Sequence, residues 1–336
     1  MPWVPFWSVS EAAGAAEDDA AARAGLVDAI DAWASAVAAS GVPASFGWRC
    51  TAAAGDALLD QLEGLGSMYW DFRSGRERNL ARKPDLLVGQ VQAIVDAAPA
   101  LGLAGTAAPG QRHYDAVIMT GGMVRAGIVK PRFARELADA GFSFGEVVFL
   151  GAFRPFAGDE VRLARDLGVN GGDEWNAMVT GLERAFGPVA DATLDEHVAT
   201  NPNAAWRDLR WGAGEQAVRV VAAPSSDPDA RRADTADTFR FWAARAGASV
   251  RSVLVVTTPI YVPYQASVAV RTLGLEAGFN VETIAVTDAA NDLGEHTQAF
   301  EPQHQLQELL SAVRGMRALR NDLVASTVNP QRRAVR

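Results

Sequence analysis

Glu174 is the acid best placed to do chemistry. In "GVNGGDEWNAM", Gly171 and Gly172 permit a close backbone approach, and Asp173 suits the cap of a helix that Glu174 begins. A carboxylate in a first turn complements the helix dipole by ~0.3–1 kcal/mol. Facing a crevice, it would instead serve as a general base or as a ligand for an amine or a ribose hydroxyl. A second concentration of polar groups lies in "VLVVTTPIYVPYQASVAV". There an apolar run ends in Thr257 and Thr258, and Pro259 and Pro263 frame Tyr261, with Tyr264 following. The hydroxyls would hydrogen-bond a ligand and the phenol would wall a planar group. A third is Thr120-Gly121-Gly122, with Arg125, Lys130 and Arg132 close behind. Pro131 reads as the first position of the next helix, and cations beside free helix N–H groups suit a phosphate or carboxylate.

These groups share a context. Five short runs rich in Val and Ile, "HYDAVIMTGG", "GEVVFLGAFRP", "EQAVRVVAAPSS", "RSVLVVTTP" and "FNVETIAV", alternate with helical patterns between about 113 and 290. Continuous apolar runs suit strands covered on both faces, so the pattern predicts an α/β fold with an open parallel sheet of about five strands. Ligands of such sheets gather beyond the carboxyl ends of the strands. The residues there are Gly121 and Gly122, Arg154 within 151–154, Ser225 in "PSSD", and Thr257 and Thr258. The N-terminal region 1–110 reads as helical, with Leu26, Ile30, Trp33 and Val37 at helical spacing. Residues 111–290 form the α/β domain, and 291–336 a closing helix and tail.

Composition narrows the function. The chain has 336 residues, 49% of them hydrophobic and 21% charged, with a net charge of -9. That balance argues against nucleic acid or an anionic membrane as partner, since both reward clustered Lys and Arg. No run approaches the roughly eighteen apolar residues of a membrane span, the N-terminus lacks a secretory pattern, and one cysteine, Cys50, suits a reducing compartment. A cytoplasmic protein is expected. There is no dinucleotide fingerprint, Walker sequence or nucleophile elbow, and His113, His197, His296 and His304 show no metal spacing, so no metal is assigned.

In order, these landmarks resemble the bacterial YdcF, SanA and ElyC family. "DAVIMTGG" stands for its Gly-Gly turn, Glu174 for its helix-opening glutamate, and "ADTADTFRF" with Thr235 and Thr238 for its threonine segment. "VVTTPIYVPYQA" stands for its last strand end, with Tyr261 and Tyr264 where the family carries histidine and arginine. The resemblance covers roughly 113 to 290 and aligns best with the soluble YdcF branch. It implies a Rossmann-like domain and a nucleotide or S-adenosylmethionine as cofactor. Three readings remain open: an enzyme acting on a nucleotide-like or phosphorylated small molecule, a non-catalytic small-molecule binder, and an interaction protein docking through Trp3, Phe6 and Trp7.

Overall fold

The computed structural model describes residues 4–8, 15–73, 84–105, 108–213 and 216–328. Trp3 and the expected tail beyond Val328 lie outside them. In chain order the helices are α1 (Ala15–Ala39), α2 (Val42–Ser45), α3 (Gly55–Tyr69), α4 (Val88–Ala97), α5 (Met123–Asp139), α6 (Asp159–Asp166), α7 (Glu174–Phe186), α8 (Thr235–Ala243), α9 (Val262–Ala269), α10 (Asp288–Asn291) and α11 (Pro302–Val328). The strands are β1 (His113–Thr120), β2 (Ser143–Gly151), β3 (Thr193–His197), β4 (Trp206–Ala213), β5 (Gln216–Ala222), β6 (Ser252–Thr257) and β7 (Asn280–Ala285). The chain divides into two units. One is helical and comprises Met1–Ala107, Pro259–Arg271 and Ala299–Arg336; the other is α/β and comprises Ala108–Thr258 and Thr272–Gln298. Residues 259–271, expected within the α/β domain, thus cluster with the helices.

In the helical unit, Leu26, Ile30, Trp33 and Val37 of α1 are buried at the spacing read from the sequence. Leu58, Leu62 and Leu65 of α3 and Leu306, Leu310 and Val313 of α11 join them in the interior, each worth ~1.5–3 kcal/mol. Gly66 lets α3 approach α11, since a Cβ there would lie 2.7 Å from Leu310 Cδ1. Arg320 of α11 then ties the bundle from outside, donating to Asp31 of α1 (2.7 and 3.1 Å) and to Asp56 of α3 (2.9 Å). Trp7 is 4% exposed beneath the Arg23 guanidinium, whereas Phe6 is 60% exposed.

The α/β unit is built on a seven-stranded sheet of order β3-β4-β5-β2-β1-β6-β7. Five neighbours, β5-β2-β1-β6-β7, are parallel and correspond to the five apolar runs; β3 and β4 add antiparallel to the β5 side. The expectation of about five strands is therefore corrected to seven, in a mixed sheet. All five residues of β3 are exposed, and β4 carries Asp208 and Arg210 inside its run, so neither shows the apolar continuity of a covered strand. Successive residues Val117 and Ile118 of β1, and Val147 and Val148 of β2, are all fully buried. That is why these strands read as continuous rather than alternating runs.

Helices α5 and α7 pack against each other, and the contact is unusually close. A Cβ at Gly181 of α7 would collide with the carbonyl oxygen of Gly127 in α5, and one at Gly127 would lie 2.7 Å from Ala177 Cβ. Pro131 explains the choice of place. It lies inside α5, not at its start as expected, because the helix already begins at Met123. A proline there cannot bond the carbonyl four residues earlier, which is that of Gly127. Gly181 lies against this released oxygen, where a Cα–H contact gives modest compensation.

Candidate functional site

In open parallel sheets a ligand lies beyond the carboxyl ends of the strands, where strand order reverses. Here the chain runs from β1 to β2, goes on to the far edge at β3, comes back through β4 to β5, and then crosses to β6 on the other side of β1. The reversal falls between Thr120, the last residue of β1, and Thr257, the last of β6. Their hydroxyls meet at 3.2 Å, with Thr120 donating. Lys130 of α5, 1% exposed, donates from below to the Thr120 carbonyl (2.6 Å) and hydroxyl (2.9 Å). Read from the sequence as a cation near a helix start, either solvated or facing an anion, Lys130 is instead buried, and its ammonium holds the end of β1.

Glu174 is brought to the same turn. Asp173 caps α7 as expected, accepting from the Asn176 N–H at 3.0 Å, and this sets Glu174 at the helix start, 7% exposed. Its Oε1 accepts from the N–H groups of Gly122 (2.8 Å) and Met123 (3.1 Å), and Oε2 accepts a long bond from Ala152 N–H at 3.4 Å. The carboxylate of one helix start thus fills the N–H nest at the start of another, α5. The turn is bent to permit this: Met123 has φ 74°, a left-handed value uncommon for a residue with a side chain. Two glycines clear the space. A Cβ at Gly121 would lie 3.1 Å from Oε1, and one at Gly151 would lie 3.2 Å from Oε2 and 2.8 Å from Met178 Sδ.

The remaining predicted residues have other duties. Arg125 donates through Nε to the His296 carbonyl at 2.6 Å, and burial lowers its pKa. Arg132 donates through Nη2 to the carbonyls of Ala290 and, at 2.7 Å, Asp292. Both secure the segment after β7, whose carbonyls carry no signal in the sequence. Arg154 forms a buried ion pair with Glu160 at 2.9 Å. Ser225 is buried and its hydroxyl accepts from Asp227 N–H at 3.1 Å, which shapes the turn after β5. Thr235 starts α8 and accepts from the Thr238 hydroxyl at 2.9 Å. Thr258 ends the α/β unit and is buried. Tyr261 belongs to the helical unit, where its ring meets Phe300 edge-on at 5.9 Å and Pro263 lies in the first turn of α9. The Tyr264 carbonyl accepts from Ser267 there at 2.7 Å.

What converges at the strand reversal is therefore Thr120, Gly121, Gly122, Lys130, Glu174 and Thr257. The missed elements are Lys130 in its inward role and the left-handed Met123. A lysine inside the apolar "GIVKPRF" was the available sign of the first. Chemically, the turn offers a buried carboxylate with Oε1 engaged twice and Oε2 engaged once and weakly, so Oε2 keeps unused acceptor capacity.

Comparison with known proteins corrects the expected kinship. Residues 17–102 match the family described as the Rv3785 N-terminal domain. The uncharacterized protein Rv3785 of Mycobacterium tuberculosis strain H37Rv is 30% identical over 89% of this chain and 90% of its own length. The uncharacterized protein Mb3814 of Mycobacterium bovis matches to the same extent. No solved structure matches the chain. These matches overturn the YdcF, SanA and ElyC resemblance, and the cofactors it implied lose that support. Glycines after a strand and an acid opening a helix recur in any α/β sheet with caps and tight turns, so their order alone did not specify a family. By full-length similarity to its mycobacterial relatives, the chain belongs to the Rv3785 family.

Proposed function

We propose that the α/β unit binds a small polar molecule across the carboxyl ends of β1 and β6, and that the molecule presents a hydrogen-bond donor to Glu174. The observation that carries this reading is the Glu174 carboxylate seated in the N–H nest of α5. A phosphate at this turn would need the same Gly122 and Met123 N–H groups and would meet a carboxylate already there. The part of the ligand lying here is therefore uncharged or cationic, such as a ribose hydroxyl or an amine, and a nucleoside or S-adenosylmethionine is the class that fits. Because the carboxylate already holds the turn, binding rather than proton transfer is its role. The single cysteine suits a reducing compartment, and the cytoplasm is the proposed location.

The test is thermal unfolding of the full chain with adenosine, S-adenosylmethionine or adenosine monophosphate. Adenosine or S-adenosylmethionine at a hundredfold excess over its dissociation constant should stabilise by about 2.7 kcal/mol, and Glu174→Gln should reduce that gain. A panel in which none of the three raises the midpoint removes the reading. A larger shift with the monophosphate than with adenosine, or an undiminished shift in Glu174→Gln, removes the role of the carboxylate.

A further inference from the structure

Strand β3 closes one side of the sheet and pairs with β4 alone, so its outer row of backbone N–H and C=O groups meets no other strand. All five of its residues are exposed. Leu194, 50% exposed, and Val198 just beyond the strand, 78% exposed, are the most exposed large apolar side chains of the α/β unit among the described residues. Open edges are commonly guarded by proline, lysine, a bulge or charge. Residues 193–198 contain no proline or lysine, and β3 follows β4 through five successive pairs without a bulge. Two acids remain as guards, and both can be answered. Glu196 Oε2 accepts from Arg207 Nε of β4 at 2.7 Å, which draws the carboxylate away from the open edge. Asp195 and His197, on the opposite face from Glu196, make no side-chain hydrogen bond or ion pair among the described residues. Arg210 feels the Asp195 charge but is bonded to Asp208.

A second copy placed on this edge by a two-fold axis normal to the sheet runs antiparallel and keeps each face. Even-numbered residues then oppose even-numbered ones, and odd oppose odd. Three registers keep the axis near the middle of β3. Centring on Leu194 sets Asp195 against Thr193 and calls on Asp191, whose φ of 49° has left strand geometry, to face His197. Centring on Asp195 opposes that acid to its own copy and Leu194 to Glu196. Centring on Glu196 sets Leu194 against Val198 of the second copy, and Asp195 against its His197, each twice. The like charges on the axis are then the two Glu196 carboxylates, each held by its own Arg207. We propose that two copies of this chain join through β3 in the register centred on Glu196, so that the sheet of one continues into the sheet of the other. Apolar and acid–base pairs of this kind are individually weak, so the dimer forms at micromolar concentration and dissociates on dilution.

Sedimentation of the full chain at tens of micromolar should give twice its mass of 35.6 kDa. Val198→Lys should raise the dimer dissociation constant roughly tenfold or more, and so should Asp195→Lys, which turns the pair with His197 into a repulsion. Adding His197→Asp to Asp195→Lys should restore the dimer, because the charges are exchanged rather than lost. These side chains are exposed, so the variants keep the fold. The register is read separately by oxidation. In a Cys50→Ser background, which has no other cysteine, Leu194→Cys, Asp195→Cys and Glu196→Cys are each oxidised under the same conditions. A disulfide needs Cα atoms about 4.4–6.8 Å apart, which an axis at Glu196 grants to that position alone of the three, so Glu196→Cys should cross-link fastest. A monomer at tens of micromolar, an undiminished dimer in Val198→Lys, or faster cross-linking at 194 or 195 than at 196 would each overturn the proposal.

Discussion

Two acids of the α/β unit are buried in different ways. Asp208 of β4, 1% exposed, faces Arg219 of β5, 2% exposed, in a two-pronged pair at 2.9 and 2.7 Å, and Arg210 adds bonds of 3.2 and 2.8 Å. Glu174, 7% exposed, forms no ion pair among the described residues and is held by backbone N–H groups. The first arrangement joins strands. It lies where the antiparallel pair is added to the parallel sheet, and sliding β4 by one residue would turn Asp208 to the other face. The second arrangement shapes a turn and leaves an acceptor at the sheet edge. The paired acid serves the architecture, while the acid buried against N–H groups is the one on which the proposed ligand site rests.

The sharpest way to break this contrast is to remove one partner of the pair. Asp208→Ala leaves the buried Arg219 with only its longer ion pair to Glu146 at 3.7 Å, and urea unfolding should show a loss approaching about 3–5 kcal/mol. Asp208→Leu combined with Arg219→Met should recover most of it, because apolar packing replaces the ions. A loss below about 1 kcal/mol in the single variant would mean that water reaches the arginine and that the pair is not architectural.

Glu174→Ala should cost less, about 2 kcal/mol, since the released N–H groups of Gly122 and Met123 are only half-buried and can find water. Glu174→Gln should keep the Oε1 contacts and lie between the two. Hydrogen exchange at these two amides would sharpen the point: it should accelerate in Glu174→Ala and not in Asp208→Ala.

Acid pH should act mainly on the pair. Burial alone raises the Asp208 carboxyl pKa, but hydrogen bonds and charge from Arg219 and Arg210 outweigh burial and hold it below its ordinary value. A depressed folded pKa means that its stabilisation is complete above the unfolded value of about 3.9 and is lost as pH falls through the lower folded value. The stability gap between the wild type and Asp208→Asn, measured by urea midpoints, should therefore narrow as pH drops below about 4. A gap independent of pH would refute the charge-based account of Asp208.

The smallest effect has the opposite sign. Met123 stands at φ 74°, where a side chain costs ~1–2 kcal/mol and glycine costs little. Met123→Gly should stabilise by about 1 kcal/mol or less, because glycine also enlarges the unfolded ensemble. A marked destabilisation would show that the Met123 side chain, not only its N–H, holds the turn.

Much of the sheet was legible because β1, β2, β5, β6 and β7 are covered on both faces toward their carboxyl ends and carry that fact as successive buried residues. The strand β4 was not, since Asp208 and Arg210 interrupt its run, and the buried Asp208 is answered by Arg219 on the neighbouring strand, a partner that only the fold brings to it. At the site, Gly121, Gly122 and Glu174 were recognisable as residues suited to a ligand edge. Their mutual contact was not, because it spans 52 positions and depends on how α5 and α7 pack. The arginines misled for a related reason: Arg125 and Arg132 are answered by backbone carbonyls after β7, and a carbonyl has no identity in a sequence.

The glycine contact between α5 and α7 acts as a mechanical stop. With no side chain on either surface at Gly127 and Gly181, backbone rests on backbone, and the reach of the Glu174 carboxylate toward Gly122 is set by two rigid rods touching at a fulcrum. A methyl group placed at 181 would be a shim: it need touch nothing at the sheet edge, yet by tilting α7 about that point it would swing the distant carboxylate out of its nest. Graded wedges at this one position would then offer a ruler for how far the acid can retreat before the turn lets go.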